Sequence, residues 1–154
     1  MFNLPLVAAL IAIMLAQIIK IPIQFFITKE LNLNLAFSTG GMPSSHSAAV
    51  CALTTGVGIV DGITSMTFAV SFVFSIIIMF DASGVRRQAG EQAIVINQLL
   101  KDFQYFVDEA KQWNKKEKFT KQEELKELLG HQPIEVFFGG LSGVGITFLL
   151  YFLL

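Results

Sequence analysis

The stretch from Ser44 to Phe80, SSHSAAVCALTTGVGIVDGITSMTFAVSFVFSIIIMF, decides the fold. Its one charged residue is Asp61, and Asp61-Gly62 is a turn-forming pair too short to cross anything. Ser44 to Val60 and Ile63 to Phe80 therefore read as a helical hairpin. A membrane-spanning helix needs roughly 20 apolar residues at about 1.5 Å rise each. The Ser44 segment is short by that measure, so it has to tilt or to begin below the interface.

Two further apolar segments flank the hairpin. Leu4 to Thr28 is apolar except for Gln17, Lys20 and Gln24, and it lacks the basic start and small-residue cleavage site of a signal peptide, so it is expected to stay in the mature protein. Val136 to Leu154 carries no charge. The expectation is an all-α integral membrane helical bundle, one domain over 1–154. Four spans are expected, about 4–28, 44–60, 63–80 and 134–154. Composition agrees: 53% of the 154 residues are hydrophobic and only 15% charged, where soluble domains run near a quarter charged. Eleven basic against twelve acidic residues leave a net charge of −1, which gives no basic excess to grip nucleic acid. The single cysteine, Cys51, lies in an apolar run and has no neighbour at metal-ligand spacing.

The charges gather in one place. Seven of the eleven basic and seven of the twelve acidic residues lie between Lys101 and Glu127. This is a polar, helical loop over about 86–131. From Ile96, the residues Leu99, Leu100, Phe103, Phe106, Val107, Ala110 and Trp113 recur at three and four, marking an amphipathic helix that lies along the membrane or packs on the bundle. Thr120 and Glu123 form a capping box for a second, shorter helix, with Gly130 at its C-terminal cap. Basic residues resist export, and Arg86 to Lys126 holds nine of the eleven, so the loop is expected in the cytoplasm of a bacterial-type cell with both termini outward.

That topology carries Lys20, Ser44, Ser45, His46, Asp81, Arg86, Arg87, His131 and Glu135 to one face, and charges in spans usually mark function. Gly40 to Ser47 is a flexible loop followed by a helix start, whose free N–H groups favour an anion; the plainer reading is a serine cap beside an incidental histidine. His131 and Glu135 stand four apart. If a helix starts at the histidine, they share a face and the carboxylate orients the imidazole; a surface histidine near a helix start is the alternative. Arg86 and Arg87 offer forks for phosphate oxygens or serve as positive-inside anchors, with Glu91 pairing Arg87 at i+4. Lys20 snorkels or reaches into the bundle as a phosphate cation. Glycines 139, 140, 143 and 145 permit close helix packing, inside the bundle or in a homo-oligomer.

These residues resemble a known family. Pro43-Ser44-Ser45-His46 is similar to the PSGH signature of the type 2 phosphatidic acid phosphatase and vanadium-dependent haloperoxidase superfamily, and His131-Gln-Pro-Ile-Glu135-Val-Phe-Phe-Gly139 to its H-x-P-x-D-V-x-x-G signature. The strings GGMPSSHSA and DASGVRRQAGEQA resemble the small divergent branch. The resemblance implies a lipid phosphatase without metal or other cofactor, acting on a phosphomonoester or on an isoprenoid or other lipid diphosphate. It implies His131 as nucleophile, Glu135 as its orienting partner and His46 as general acid. Lys20, Ser44, Ser45 and Arg86 or Arg87 would bind phosphate, with Asp81 and Glu91 in support. The chain departs from the pattern at Ser45 for glycine, at Glu135 for aspartate, at Leu125 for the usual arginine, and at Ile27-Thr28 for an Arg-Pro; four spans replace six. A non-catalytic protein binding a lipid phosphate or another anion is the alternative; a transporter would need polar residues at mid-membrane.

Overall fold

The computed structural model describes residues 3–29, 40–111 and 130–153. Among them are five helices: α1 (Leu4–Thr28), α2 (Ser45–Val60), α3 (Met66–Ser83), α4 (Val85–Lys111) and α5 (Pro133–Leu153). The all-α membrane bundle expected from sequence is present. Three helical stretches, Leu4–Phe26, the one running on from Met66, and Pro133–Leu153, are long and apolar enough to cross a membrane, and α2 is a shorter apolar helix. The expected second helix around Thr120 and the end of the stripe at Trp113 lie outside the described residues.

Each start is set by local chemistry. Asn3 caps α1 by accepting from the Leu6 N–H at 3.1 Å, with Pro5 in the first turn where no donor is needed. Ser44 caps α2 and Ser65 caps α3 in the same way. The hairpin turn is longer than Asp61-Gly62 alone, and α3 begins at Met66 rather than Ile63. Ser65 is what moves it: its hydroxyl accepts from the Phe68 N–H and donates to the Gly62 carbonyl. Gly62 supplies the positive φ of 87° that the turn requires. At the other end α3 runs on to Ser83, and only Gly84 separates it from α4.

The helix α2 is the hub, with α1, α3 and α5 packed on it. Against α1 the contact is a ladder of alanines: Ala8, Ala12 and Ala16 recur every four residues and meet Ala48 and Ala52. The two helices run antiparallel, since a Cβ on Gly56 would lie 2.7 Å from the Pro5 Cα. Against α3 the contact is polar. Thr54 and Ser75 hydroxyls are 2.7 Å apart, Thr54 also reaches the Ser71 carbonyl, and Ser75 reaches the carbonyl of Val50. Such bonds join helices where no hydrophobic force draws apolar surfaces together.

Against α5 the contact is backbone to backbone. A Cβ on Gly139 would collide with the Ser44 carbonyl and one on Gly143 with the Ala48 carbonyl, while Thr147 donates to the Ala52 carbonyl at 3.2 Å. Each step adds four residues on both helices, so α2 and α5 run parallel with their N-termini together. The glycines thus work within the bundle. Gly145 faces open space. Replacing Gly143 by alanine should separate the pair and cost about 1–3 kcal/mol, read as lost thermal stability in micelles. Gly145→Ala should cost nothing.

Candidate active site

The shared N-terminal end of α2 and α5 also receives the C-terminal ends of α1 and α3. His131 stands just before α5, which begins at Pro133, so the helix does not start at the histidine as the spacing suggested. The side chain of Glu135 reaches back past the helix start. One of its oxygens, Oε2, lies 3.1 Å from the Gln132 N–H and 3.1 Å from His131 Nδ1. The first of these is half of a capping box, with a glutamate at the third helical position satisfying the cap N–H. The second ties the imidazole to the same carboxylate.

His131 is fixed from behind as well. Its backbone N–H donates to the Ala82 carbonyl at 2.9 Å, which joins α5 to the last turn of α3. Gly130, at φ +90°, abuts the backbone of Arg86 and Arg87 so closely that no Cβ fits. The backbone N–H of Ser44 donates to the Glu135 carbonyl at 3.0 Å, which joins α5 to the start of α2. The His131 side chain is fully buried, and its Nε2 has no partner among the described residues.

The His46 ring packs edge to face on His131, with centroids 5.9 Å apart, and its Nδ1 is buried without a partner among the described residues. Arg86, Lys20 and Asp81 all lie within electrostatic range of His46. Lys20, with 1% of its surface exposed, is inside the bundle and not snorkelling, and it shares a field with Glu135. Ser44 and Ser45 are buried. Ser44 Oγ accepts from the Ser47 N–H at 3.3 Å and lies 3.1 Å from the Ser47 hydroxyl.

The two arginines part company. Arg86 Nε binds Asp81 Oδ2 at 2.6 Å, bridging the joint between α3 and α4 beside the histidines. Arg87 Nε binds Glu91 Oε1 at 3.0 Å, one turn along α4; both pairs are exposed, and Arg86 is the arginine within electrostatic range of His46. Sequence reading missed Ala82, and it placed Ser47 in the loop and helix start and Gly130 at a helix cap without giving either a part in the site.

The fold and this convergence define a helical membrane protein with a histidine, carboxylate and cation site at one end of its bundle. The comparisons agree with the membrane bundle. The Divergent PAP2 family matches residues 1–146, and the chain belongs to that family. It is 60% identical over 148 residues to the Bacillus subtilis (strain 168) protein described as "Uncharacterized membrane protein YuiD", covering 96% of this chain and 94% of that one. No solved structure matches the chain.

An oxyanion approaching the two histidines should feel Arg86 and not Arg87. Binding of orthovanadate to the purified protein, followed by calorimetry, should weaken by about tenfold or more in Arg86→Ala and stay within roughly twofold in Arg87→Ala.

Proposed function

We propose that the protein is a membrane lipid phosphatase that hydrolyses a phosphomonoester or diphosphate head group through a phosphohistidine. One observation carries this reading: His131 is pinned at Nδ1 by Glu135, while its buried Nε2, beside His46, has no partner among the described residues. With Nδ1–H donated to the carboxylate, Nε2 keeps its lone pair and is a nucleophile. Family membership supports the same chemistry.

In the proposed reaction the phosphate lies against both imidazoles, its oxygens drawn by Arg86, Lys20 and the paired helix N-termini. Nε2 attacks phosphorus, the bond to the lipid oxygen breaks, and His46 gives that oxygen its proton, releasing an alcohol or a lipid monophosphate. Water, losing a proton to His46, then cleaves the P–N bond and frees inorganic phosphate. Ser44 and Ser45 line the start of α2 and hold the phosphate. Asp81 orients Arg86. Glu91 belongs to Arg87 on the outer face of α4, which leaves it away from this chemistry. The site faces the cytoplasm in this reading, supported by the basic residues of the loop after α3.

Phosphate release from lipid phosphates in mixed micelles tests the reading. His131→Ala should abolish it. His46→Ala should lower it about 10²–10⁴-fold, and less for a substrate with a good leaving group. Glu135→Gln should reduce turnover while orthovanadate still binds, since it disturbs the orientation of the ring and not the cations. Release should persist in a chelator, and loss restored by a divalent cation would overturn the mechanism. Sidedness is tested separately: in a Cys51→Ala background, Lys116→Cys should resist an impermeant thiol reagent applied to whole cells.

A further inference from the structure

The helices α1, α2, α3 and α5 make up the bundle, whereas α4 packs on α3 alone among the described helices. It is also the amphipathic one. At 3.6 residues per turn, Val95, Ile96, Leu99, Phe103 and Phe106 fall within about 100° of its circumference. Each of these five is 43–68% exposed. Gly90, Ala93 and Asn97 are buried on an adjoining side, so the exposed stripe is not the side that packs on the chain itself. Arg87, Glu91, Gln98 and Lys101 lie opposite the stripe. A contiguous apolar surface of this kind marks an interaction site.

The tether of α4 points to what covers it. Val70, Val73, Ile77 and Phe80 are exposed along α3, the surface of a span that lipid covers, and this surface runs down to the site end of the bundle. Only Gly84 joins α3 to α4, and its φ of −104° and ψ of −87° lie outside the helical region. The Ala82 carbonyl, which a straight helix would bond to the Arg86 N–H, accepts from the His131 N–H. The axis therefore turns at Gly84, and α4 is not a straight extension of α3 into water. Its first turn is held at the end of the span by this joint and by Gly130, which abuts the backbone of Arg86 and Arg87.

A second copy of the chain fits the stripe badly. Were two α4 helices to pair along Ile96, Leu99, Phe103 and Phe106, the flanking positions would be Val95 and Asp102 on one side and Ala93, Leu100 and Val107 on the other. No cation stands among them to pair with Asp102, and such pairs are what select partners in a coiled coil. A bilayer interface asks only for one broad apolar side and one polar side. We propose that α4 is an in-plane helix, seated in the membrane interface at the site end with Val95, Ile96, Leu99, Phe103 and Phe106 in the acyl boundary. Val85–Lys111 holds four basic and four acidic residues, so its insertion rests on apolar area and on the tether to α3 and not on anionic lipid. The apolar part begins about 15 Å along the helix from Val85. Gln88 and Gln92 share its side nearer the joint. Arg86, in the first turn, then stands at headgroup level within range of His46. The helix takes this seat whether or not the site turns over phosphate.

The test uses the full chain with Cys51→Ala in phosphatidylcholine nanodiscs, labelled with bimane at Leu99→Cys or Phe103→Cys on the apolar side and at Gln98→Cys or Lys101→Cys on the polar side. The first two probes should emit to the blue and be quenched about threefold or more better by a lipid spin-labelled near the top of its acyl chain than the second two. Aqueous iodide should show the reverse order. The pattern should be the same in discs holding one copy or two, and with phosphatidylglycerol added. Equal iodide quenching on the two sides would overturn the proposal. A blue shift confined to discs with two copies would give the stripe to a second copy instead, and one confined to anionic bilayers would overturn insertion by the apolar side alone.

Discussion

The contact on which the rest depends is the parallel, backbone-to-backbone packing of α5 on α2. Gly139 and Gly143 lie on the Ser44 and Ala48 carbonyls with no room for a side chain between them. Only at that distance can the Ser44 N–H reach the Glu135 carbonyl and the two histidines share one small space. A methyl group at either glycine would push the N-terminus of α5 away. The pairing of His46 with His131 would then go with it.

Parallel packing also has an electrostatic consequence. Neighbouring helices that run antiparallel cancel their dipoles, whereas α2 and α5 present two positive ends side by side. The ends of α1 and α3 that complete the site are C-terminal and carry the opposite sign. Cations offset them: Lys20 lies two turns inside the end of α1, and Arg86 stands just past the end of α3. Each of these cations also has a carboxylate near it, Asp81 on Arg86 and Glu135 in the field of Lys20, so side-chain pairing places them and not the chain's net charge of −1. Charge at this end is a matter of placement and not of composition.

That placement was partly legible in the sequence. The apolar runs located the helices, because a span must be long and apolar whatever it packs against, and caps such as Asn3 and Ser44 are local events. The boundaries that moved did so for local reasons too weak to weigh in advance, such as the Ser65 hydroxyl that delays α3 to Met66. Helix phase was another matter. Which of Arg86 and Arg87 faces the histidines depends on the turn made at Gly84 and on where Gly130 docks, and both are tertiary facts. The same is true of the glycines near the C-terminus, where position 143 touches α2 and position 145 touches nothing, although both stand in one apolar run.

Two departures from the superfamily signatures bear on the surroundings of His131. An aspartate four residues after His131 would be one methylene shorter. From the third position of α5, the longer Glu135 reaches both the Gln132 N–H and the imidazole with a single oxygen, so it caps the helix and holds the ring together. The helix starts two residues after the histidine, and the His131 backbone docks on Ala82. That docking sets Gly130 against Arg86 and brings in a guanidinium from the joint between α3 and α4. The arginine replaced by Leu125 in the usual pattern would have come from the segment before the histidine. In the proposed mechanism Arg86 at the joint, within electrostatic range of His46, supplies the cation that the usual pattern takes from that segment.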